Sequence, residues 1–321
     1  MFKLNSKIDN VRDYVIYKGK PYYINTSDEI QCGEKKQMLY KTPLNPLATF
    51  NGKFYCSEWE NNYKIFDENL ELVEEGKAKA FLYLSKEFLE TYFLDEQQKI
   101  FITALLDREK NLMVLGDIDR SAISVFSNEY IYIYIYKKNK ICDDVMSIRA
   151  FSIQEKEHLW EFSLASFGKW KNSWDEERFF EVYKLIGIYN NILWAFIEIG
   201  GFIGLDIKTG ELKYRISEYH MGKESKLFFR SDYYLDNERG KIFGLAHIFI
   251  EIDLNQAPPF VTQYGLQEEF EKYNIKKAND TAEDYVIQDD LLYFSLFNQL
   301  RFGILDINTK EIIYVSEPIA V

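Results

Sequence analysis

Between Val182 and Ile216 the chain sets out four strand signals in about 35 residues. Val182 to Tyr189 is a strand-like run, and Asn190-Asn191 is a strong hairpin turn signal. Ile192 to Ile199, Gly200-Gly201 and Phe202 to Asp206 read as a second strand, a turn and a third strand. Lys208-Thr209-Gly210 then turns into a more polar fourth strand, Glu211 to Ile216. The inner strands of such units are apolar on both faces. In YIYIYIY, Ile131, Ile133 and Ile135 fall on one side and Tyr132 and Tyr134 on the other. A lone antiparallel sheet should keep one face polar, so these meanders must pack against further copies on both sides.

The chain supplies those copies. A first unit holds Asp13 to Tyr17, a Lys18-Gly19 turn, Pro21 to Asn25, and Gln37 to Lys41 as its outer strand. A second runs through Leu47–Phe50, Phe54–Trp59, Tyr63–Asp67 and Leu70–Val73. The third pairs Thr91–Leu94 with Ile100–Leu106 and Leu112–Asp117. Ala122–Phe126, Tyr130–Tyr136, Ser147–Ile153 and His158–Phe162 form the fourth, and Val182–Ile216 is the fifth. The sixth spans Tyr233 to Gln263 and the seventh Tyr285 to Ser316.

The end of the third strand carries a signature: IFDENLELV, AFSIQEKEHLW, LDIKTGELKY, IDLNQAPPFV and LDINTKEIIY. Asp67, Ser152, Asp206, Asp253 and Asp306 open these turns, where a short polar side chain accepts hydrogen bonds from N–H groups two residues on. Asp206 and Asp253 are 47 residues apart, and Asp253 and Asp306 are 53 apart. That period is expected of four-stranded propeller blades. Asp117 is a candidate further copy, though it stands only 35 residues before Ser152.

These turns resemble the repeats of the WD-repeat-like and quinoprotein-dehydrogenase-like β-propellers, whose third strand often ends in a D-x-x-T-G-x-x-x-W turn. Asp206 to Tyr214 keeps Thr209 and Gly210, with Tyr214 for the aromatic. Asp306 to Tyr314 keeps Thr309 but has Lys310 where glycine is usual, and His158-Leu159-Trp160 keeps only the Trp. The resemblance implies an all-β chain forming a single β-propeller over residues 1–321. Seven blades are expected, six if the weak third unit fails, with the chain's two ends meeting in one blade. The resemblance implies no activity. Adjacent paired cysteines and regular tryptophan repeats, which would support a quinone, are not in the sequence, so no cofactor is expected.

Charge narrows the partners. A net charge of -12 disfavours nucleic acid, whose phosphates need a positive field, and is compatible with a basic protein. No apolar run is long enough for a membrane helix, and MFKLNSKIDN lacks the apolar core of a signal peptide. Cys32, Cys56 and Cys142 are odd in number and lack metal-ligand spacing, which points to free thiols in a cytoplasmic protein. Dinucleotide-binding, P-loop, nucleophile-elbow and zincin motifs are all missing from the sequence.

Long connections concentrate at one end of the expected blades: Leu164–Phe180, Ser217–Asp232 and Gly265–Asp284, with Glu75–Leu89 reading as a small helix or extra strand. Long loops in compact domains are commonly functional. Trp170, Trp174 and Arg178 have the composition of an interface hot spot. The sequence places them near Phe228, Phe229, Phe270 and Tyr273 as an aromatic centre, rimmed by Glu176, Glu177, Glu224 and Glu269. Gln267–Lys277 reads as a helix whose stripe of Leu266, Phe270 and Tyr273 would also serve to pack it on the blades. The leading expectation is a non-enzymatic module that binds another protein, for which a bacterial toxin-neutralising (immunity) protein is one suitable class. The alternative is an enzyme acting on a small polar or sugar substrate in the central channel, with His220 as a base. His158, His220 and His247 lie far apart, and the Asp117/Asp119 pair is a weak cation signal, so no metal site is expected.

Overall fold

The computed structural model describes residues 11–317, apart from 40–46, 58–61, 78, 85–87, 96–99, 117–124, 128–130, 138–144, 172–173, 198–200, 217–232, 246–247, 276–281 and 297–300. Among these residues, seven four-stranded sheets follow one another along the chain. The first holds β1 (Val11–Tyr17), β2 (Lys20–Asn25), β3 (Glu29–Cys32) and β4 (Lys35–Met38). The second holds β5 (Ala48–Phe50), β6 (Lys53–Ser57), β7 (Tyr63–Phe66) and β8 (Leu72–Gly76). The third is β9 (Lys79–Tyr83), β10 (Phe88–Asp95), β11 (Ile100–Asp107) and β12 (Leu112–Gly116). The fourth is β13 (Val125–Ser127), β14 (Ile131–Lys137), β15 (Met146–Ser152) and β16 (Glu157–Ser163). A ribbon of β17 (Lys169–Lys171) and β18 (Glu177–Phe179) precedes the fifth sheet, β19 (Val182–Tyr189), β20 (Ile192–Ile197), β21 (Gly201–Asp206) and β22 (Leu212–Ile216). The sixth is β23 (Tyr233–Asp236), β24 (Lys241–Leu245), β25 (Ile248–Asp253) and β26 (Phe260–Gly265). A helix, α1 (Gln267–Glu271), leads to the seventh, β27 (Ala282–Gln288), β28 (Leu291–Leu296), β29 (Arg301–Asp306) and β30 (Ile312–Val315). This is the architecture of a seven-bladed β-propeller with antiparallel blades.

Three expectations need correction. The apolar Lys79–Tyr83 run is the first strand of the third blade, so every strand of that blade moves one place along. Its signature aspartate is therefore Asp107, at the end of β11, and Asp117 lies outside the described residues. In the first blade, Glu29–Cys32 and Lys35–Met38 form the outer pair in place of Gln37–Lys41. Each described blade is built from four consecutive strands, so no described blade combines strands from both halves of the chain, and residues 1–10 and 318–321 lie outside the described residues.

The chain forms two compact units: Met1–Tyr132 with Ser152–Glu157, and Ile133–Phe151 with His158–Val321. Within each, the core lies between the faces of successive blades. In the first unit Tyr22 stacks on Phe54 of the next blade at 4.0 Å, and its hydroxyl donates to the Glu68 carbonyl. Tyr55 and Tyr63 meet Phe81 of the third blade at 5.0 and 5.4 Å, tilted and edge-on respectively. In the second unit Trp194, Phe196 and Phe202 pack against Tyr233, Ile242 and Ile250 of the sixth blade. Phe243 and Phe249 then pack on Leu292 and Phe294 of the seventh. The inner strands are buried on both faces, as in Leu193–Ile197, whereas outer strands such as β22 alternate. That is the burial a stack of blades requires.

Asp206, Asp253 and Asp306 occupy the equivalent turn after the third strand of their blades. Asp206 Oδ1 accepts from the N–H groups of Lys208 and Thr209 at 2.9 and 3.1 Å. Asp306 does the same with Asn308 and Thr309 at 2.8 and 3.0 Å. These donors hold both carboxyls below the usual aspartate range. Five of the turns at this position hold a left-handed residue, Leu70, Lys110, Lys156, Gly210 and Lys310, with φ between 59° and 71°. Gly210 is placed against the next structural tie. The Trp160 indole of the fourth blade donates to the Ile207 carbonyl at 2.8 Å and lies over the Gly210 Cα.

Cys32 and Cys56 carry free thiols, and Cys142 lies outside the described residues. Thiol titration of the denatured, unreduced protein is expected to find three thiols per chain. Recovery of a single thiol would show a disulfide and overturn that expectation.

Candidate functional site

Strands alternate direction within a blade, so the connections from a fourth strand to the next first strand emerge at the same end as the second-to-third turns. In the second unit two such connections are described. The first leaves β16 through a 3₁₀ turn, Leu164–Phe167, capped by Ser163 Oγ, which accepts from the Ala165 N–H. Gly168, at φ 76°, redirects the chain into the β17–β18 ribbon. There Lys169 faces Phe179, Trp170 faces Arg178 and Lys171 faces Glu177.

The base of this ribbon is tied down. Phe167 meets Phe162 and Phe180 at 5.8 and 6.1 Å, and the Arg215 guanidinium lies 4.3 Å from the centre of the Phe167 ring. Trp170 is half-buried and donates its indole N–H to the Phe179 carbonyl at 3.3 Å. The tip is different. Trp174 is 79% exposed, beside Asp175 in the left-handed region at φ 63°. Lys171 pairs with Asp175 at 3.0 Å and Arg178 with Glu176 at 2.9 Å. Glu176 thus sits in a local pair instead of a free acidic rim.

The second connection buries what the sequence offered as anchors. Phe270 is only 5% exposed, in a core with Leu266, Ile275 and Phe294. Tyr273 packs on the same core and donates to the Ile312 carbonyl at 3.0 Å. The apolar stripe therefore holds the segment against the seventh blade, and these two side chains do not join Trp174. The helix is also shorter than the expected Gln267–Lys277. Leu266 offers no capping side chain, and Asn274 at φ 58° ends the turn while Ile275 N–H donates to the Phe270 carbonyl. This is a Schellman-type stop, legible in advance from Asn274 followed by an apolar residue. Phe228, Phe229 and Glu224 lie outside the described residues, while Glu177 is exposed on β18.

Of the catalytic candidates, His220, His247 and Asp119 lie outside the described residues. His158 is exposed, with Nδ1 3.3 Å from the Tyr134 hydroxyl. Among the described residues no group of three His, Cys, Asp or Glu side chains is placed to hold a metal ion. A polar cleft of about 400 Å3 does exist at the opposite end, lined by Asp236, Glu238, Arg239 and Asp289. Its arginine is already engaged, since Arg239 bridges Asp236 at 2.5 Å and Asp290 at 2.8 Å. Burial pushes the Asp236 carboxyl up, but the Arg239 backbone and guanidinium hydrogen bonds outweigh this and hold it below the usual range. Such a carboxylate orients Arg239, which ties the sixth blade to the seventh, and makes a poor proton acceptor at neutral pH. Sequence reasoning missed Arg239; its signal was an arginine in the Asn237–Gly240 turn, facing the acidic Asp289-Asp290 turn of the next blade.

No protein-family model matches the chain, and no curated protein matches it in sequence. Solved structures do match in shape. BamB from Moraxella catarrhalis superposes with a TM-score of 0.54 at 9% identity, over 88% of this chain and 79% of BamB. Saccharomyces cerevisiae Sqt1 gives 0.58 at 8% identity, over 96% of this chain and 88% of Sqt1. The quinohemoprotein alcohol dehydrogenase ADHIIG from Pseudomonas putida HK5 gives 0.57 at 10% identity, over 95% of this chain and 66% of the enzyme. At these identities the likeness is one of fold, and the fold shared with all three is the β-propeller.

Proposed function

We propose that the protein is a non-enzymatic binding module that holds another protein at the end bearing the interblade connections, with Trp174 as its anchor. The observation that carries this is the contrast within one ribbon: a base fixed by Phe162, Phe167, Phe180 and Arg215, and a tip presenting a 79% exposed tryptophan. An aromatic on a pre-positioned support loses little freedom on binding, which is how a few residues come to dominate an interface. The finer reading is a cytoplasmic toxin-neutralising (immunity) protein, for which the net charge of -12 would speed encounter with a basic toxin.

The test begins with a pull-down from native lysate to identify the partner. Trp174→Ala is then expected to weaken binding by about 2 kcal/mol, roughly thirtyfold in Kd, while leaving the melting temperature unchanged. A folded Trp174→Ala variant that binds the native partner as wild type does would remove this surface from consideration. A partner whose affinity is indifferent to salt would argue against the electrostatic part of the reading.

A further inference from the structure

Beside the base of that ribbon, which Arg215 also touches, the outer strands β22 and β26 flank a cleft of about 600 Å3. One wall is Lys213, Tyr214, Arg215 and Ile216; the other is residues 258–261 with Gln263. Successive residues of a strand point to opposite faces, so a cleft touching four in a row touches the edge of the strand. That edge of β22 has no strand beside it among the described residues, since β22 ends its sheet and pairs only with β21. Edge strands present unpaired N–H and C=O groups. The opposite wall begins with Pro258 and Pro259, which lack N–H groups, whereas β22 contains no proline.

The side chains of β22 divide by face. Tyr214 stacks on Trp194 at 5.6 Å, and Ile216 joins the core shared with the sixth blade, toward Phe260, which is 57% exposed. Lys213 and Arg215 lie on the other face, Arg215 over Phe167 and Lys213 against Glu211 in an exposed pair at 2.6 Å. Among the described residues the cleft's lining thus includes two cations and no carboxylate, on a chain of net charge -12. In the far wall the Gln263 amide Nε2 is buried with no hydrogen-bond acceptor among the described residues.

We propose that this cleft receives an extended segment of a partner protein, added to β22 as a fifth strand and alternating acidic with apolar residues. The acidic positions fall beside Lys213 and Arg215, the apolar ones beside Tyr214, Ile216 and Phe260. A segment filling the cleft's width brings an acceptor to Gln263. Main-chain pairing supplies affinity in this mode and alternate side chains supply selectivity. The proposal does not depend on the role of Trp174.

A displayed library of random linear peptides is panned on the full chain, and enriched peptides are measured by fluorescence anisotropy and by hydrogen exchange. Enriched sequences are expected to alternate Asp or Glu with apolar residues and to slow exchange of the β22 amides. Lys213→Glu with Arg215→Glu should weaken them about tenfold or more, and N-methylation of alternate peptide nitrogens should abolish binding. Trp174→Ala should leave these affinities unchanged, which separates failure here from failure at the ribbon. If the double variant does not fold, Lys213→Glu alone, at an exposed position, should still weaken binding about threefold. No enrichment, enrichment without alternation, or binding that survives N-methylation would overturn the proposal. So would concentration-dependent self-association that protects β22, which would assign the edge to a second copy of this chain.

Discussion

Gly210→Ala is expected to destabilise the protein by about 2–4 kcal/mol, measured by denaturant unfolding. Two costs combine. The backbone at Gly210 has φ 71°, which a Cβ disfavours by about 1 kcal/mol. The added Cβ would also lie 2.6 Å from Trp160 Cε3 and 2.7 Å from Cδ2. Those atoms belong to an indole already fixed by its 2.8 Å hydrogen bond to the Ile207 carbonyl, so the ring cannot swing away cheaply. Gly240, at φ 63°, faces a similar limit, since its added Cβ would meet the Tyr189 hydroxyl, which a 2.6 Å hydrogen bond to Asn255 Oδ1 holds in place. In a Trp160→Ala background the Gly210→Ala cost should fall to the strain alone, about 1 kcal/mol. Equal costs in the two backgrounds would show that the tryptophan does not seat on this turn.

That tie explains why the architecture was legible and why one blade was not. Blades with Gly210 or an Asn-Asn turn announce themselves, because only a few residues take left-handed conformations readily. The third blade instead places Lys110 at φ 69°, inside Asp107-Arg108-Glu109-Lys110, a stretch that reads as a solvated charge run. With its true turn disguised and its first strand reading as a small helix or extra strand within a connection, the blade shifted by one strand. Asp107 closes its turn as Asp67 does, accepting from the N–H four residues on, that of Asn111, at 2.7 Å. The candidate site divides along a different line. Trp174 and Phe270 are both aromatics in long connections, and composition cannot separate them. What separates them is the pattern of their neighbours in sequence. Leu266, Phe270 and Tyr273 recur at helical spacing and find a core, whereas Trp174 stands in the polar run Asn172-Ser173-Trp174-Asp175-Glu176. The cleft beside β22 escaped notice because a free edge is a property of the backbone, although Pro258-Pro259 ahead of an outer strand was a signal for it.

Lys310 occupies the glycine position of the seventh blade's turn at φ 64°, and the structure shows what offsets that strain. Its ammonium pairs with Glu251 of the sixth blade at 2.8 Å, donates to the Ile307 carbonyl, and lies 4.9 Å from the centres of the Phe249 and Tyr264 rings. Glu251 also holds Lys241 at 2.5 Å, and its side chain is only 13% exposed. Removing one member of such a group leaves the others charged and poorly solvated. Glu251→Ala is therefore expected to cost about 3 kcal/mol, near the lower end for a buried pair because Lys241 still reaches water. Adding Lys310→Gly should restore most of this loss, to within about 1 kcal/mol of wild type, since glycine takes the left-handed turn freely and leaves no stranded cation. The acid response carries the same information. Burial pushes the Glu251 carboxyl up, but the hydrogen bonds from Lys241 and Lys310 outweigh it and hold the group below its ordinary value of 4.5. A carboxyl depressed on folding contributes stability that is complete above its ordinary value and is lost as pH falls through the depressed one. Wild type should therefore lose stability more steeply below pH 4.5 than Glu251→Ala does, and the two curves should converge in acid. If the variant and wild type lose stability in parallel, and Lys310→Gly is as costly in the Glu251→Ala background as in wild type, Lys310 is not held by this carboxylate.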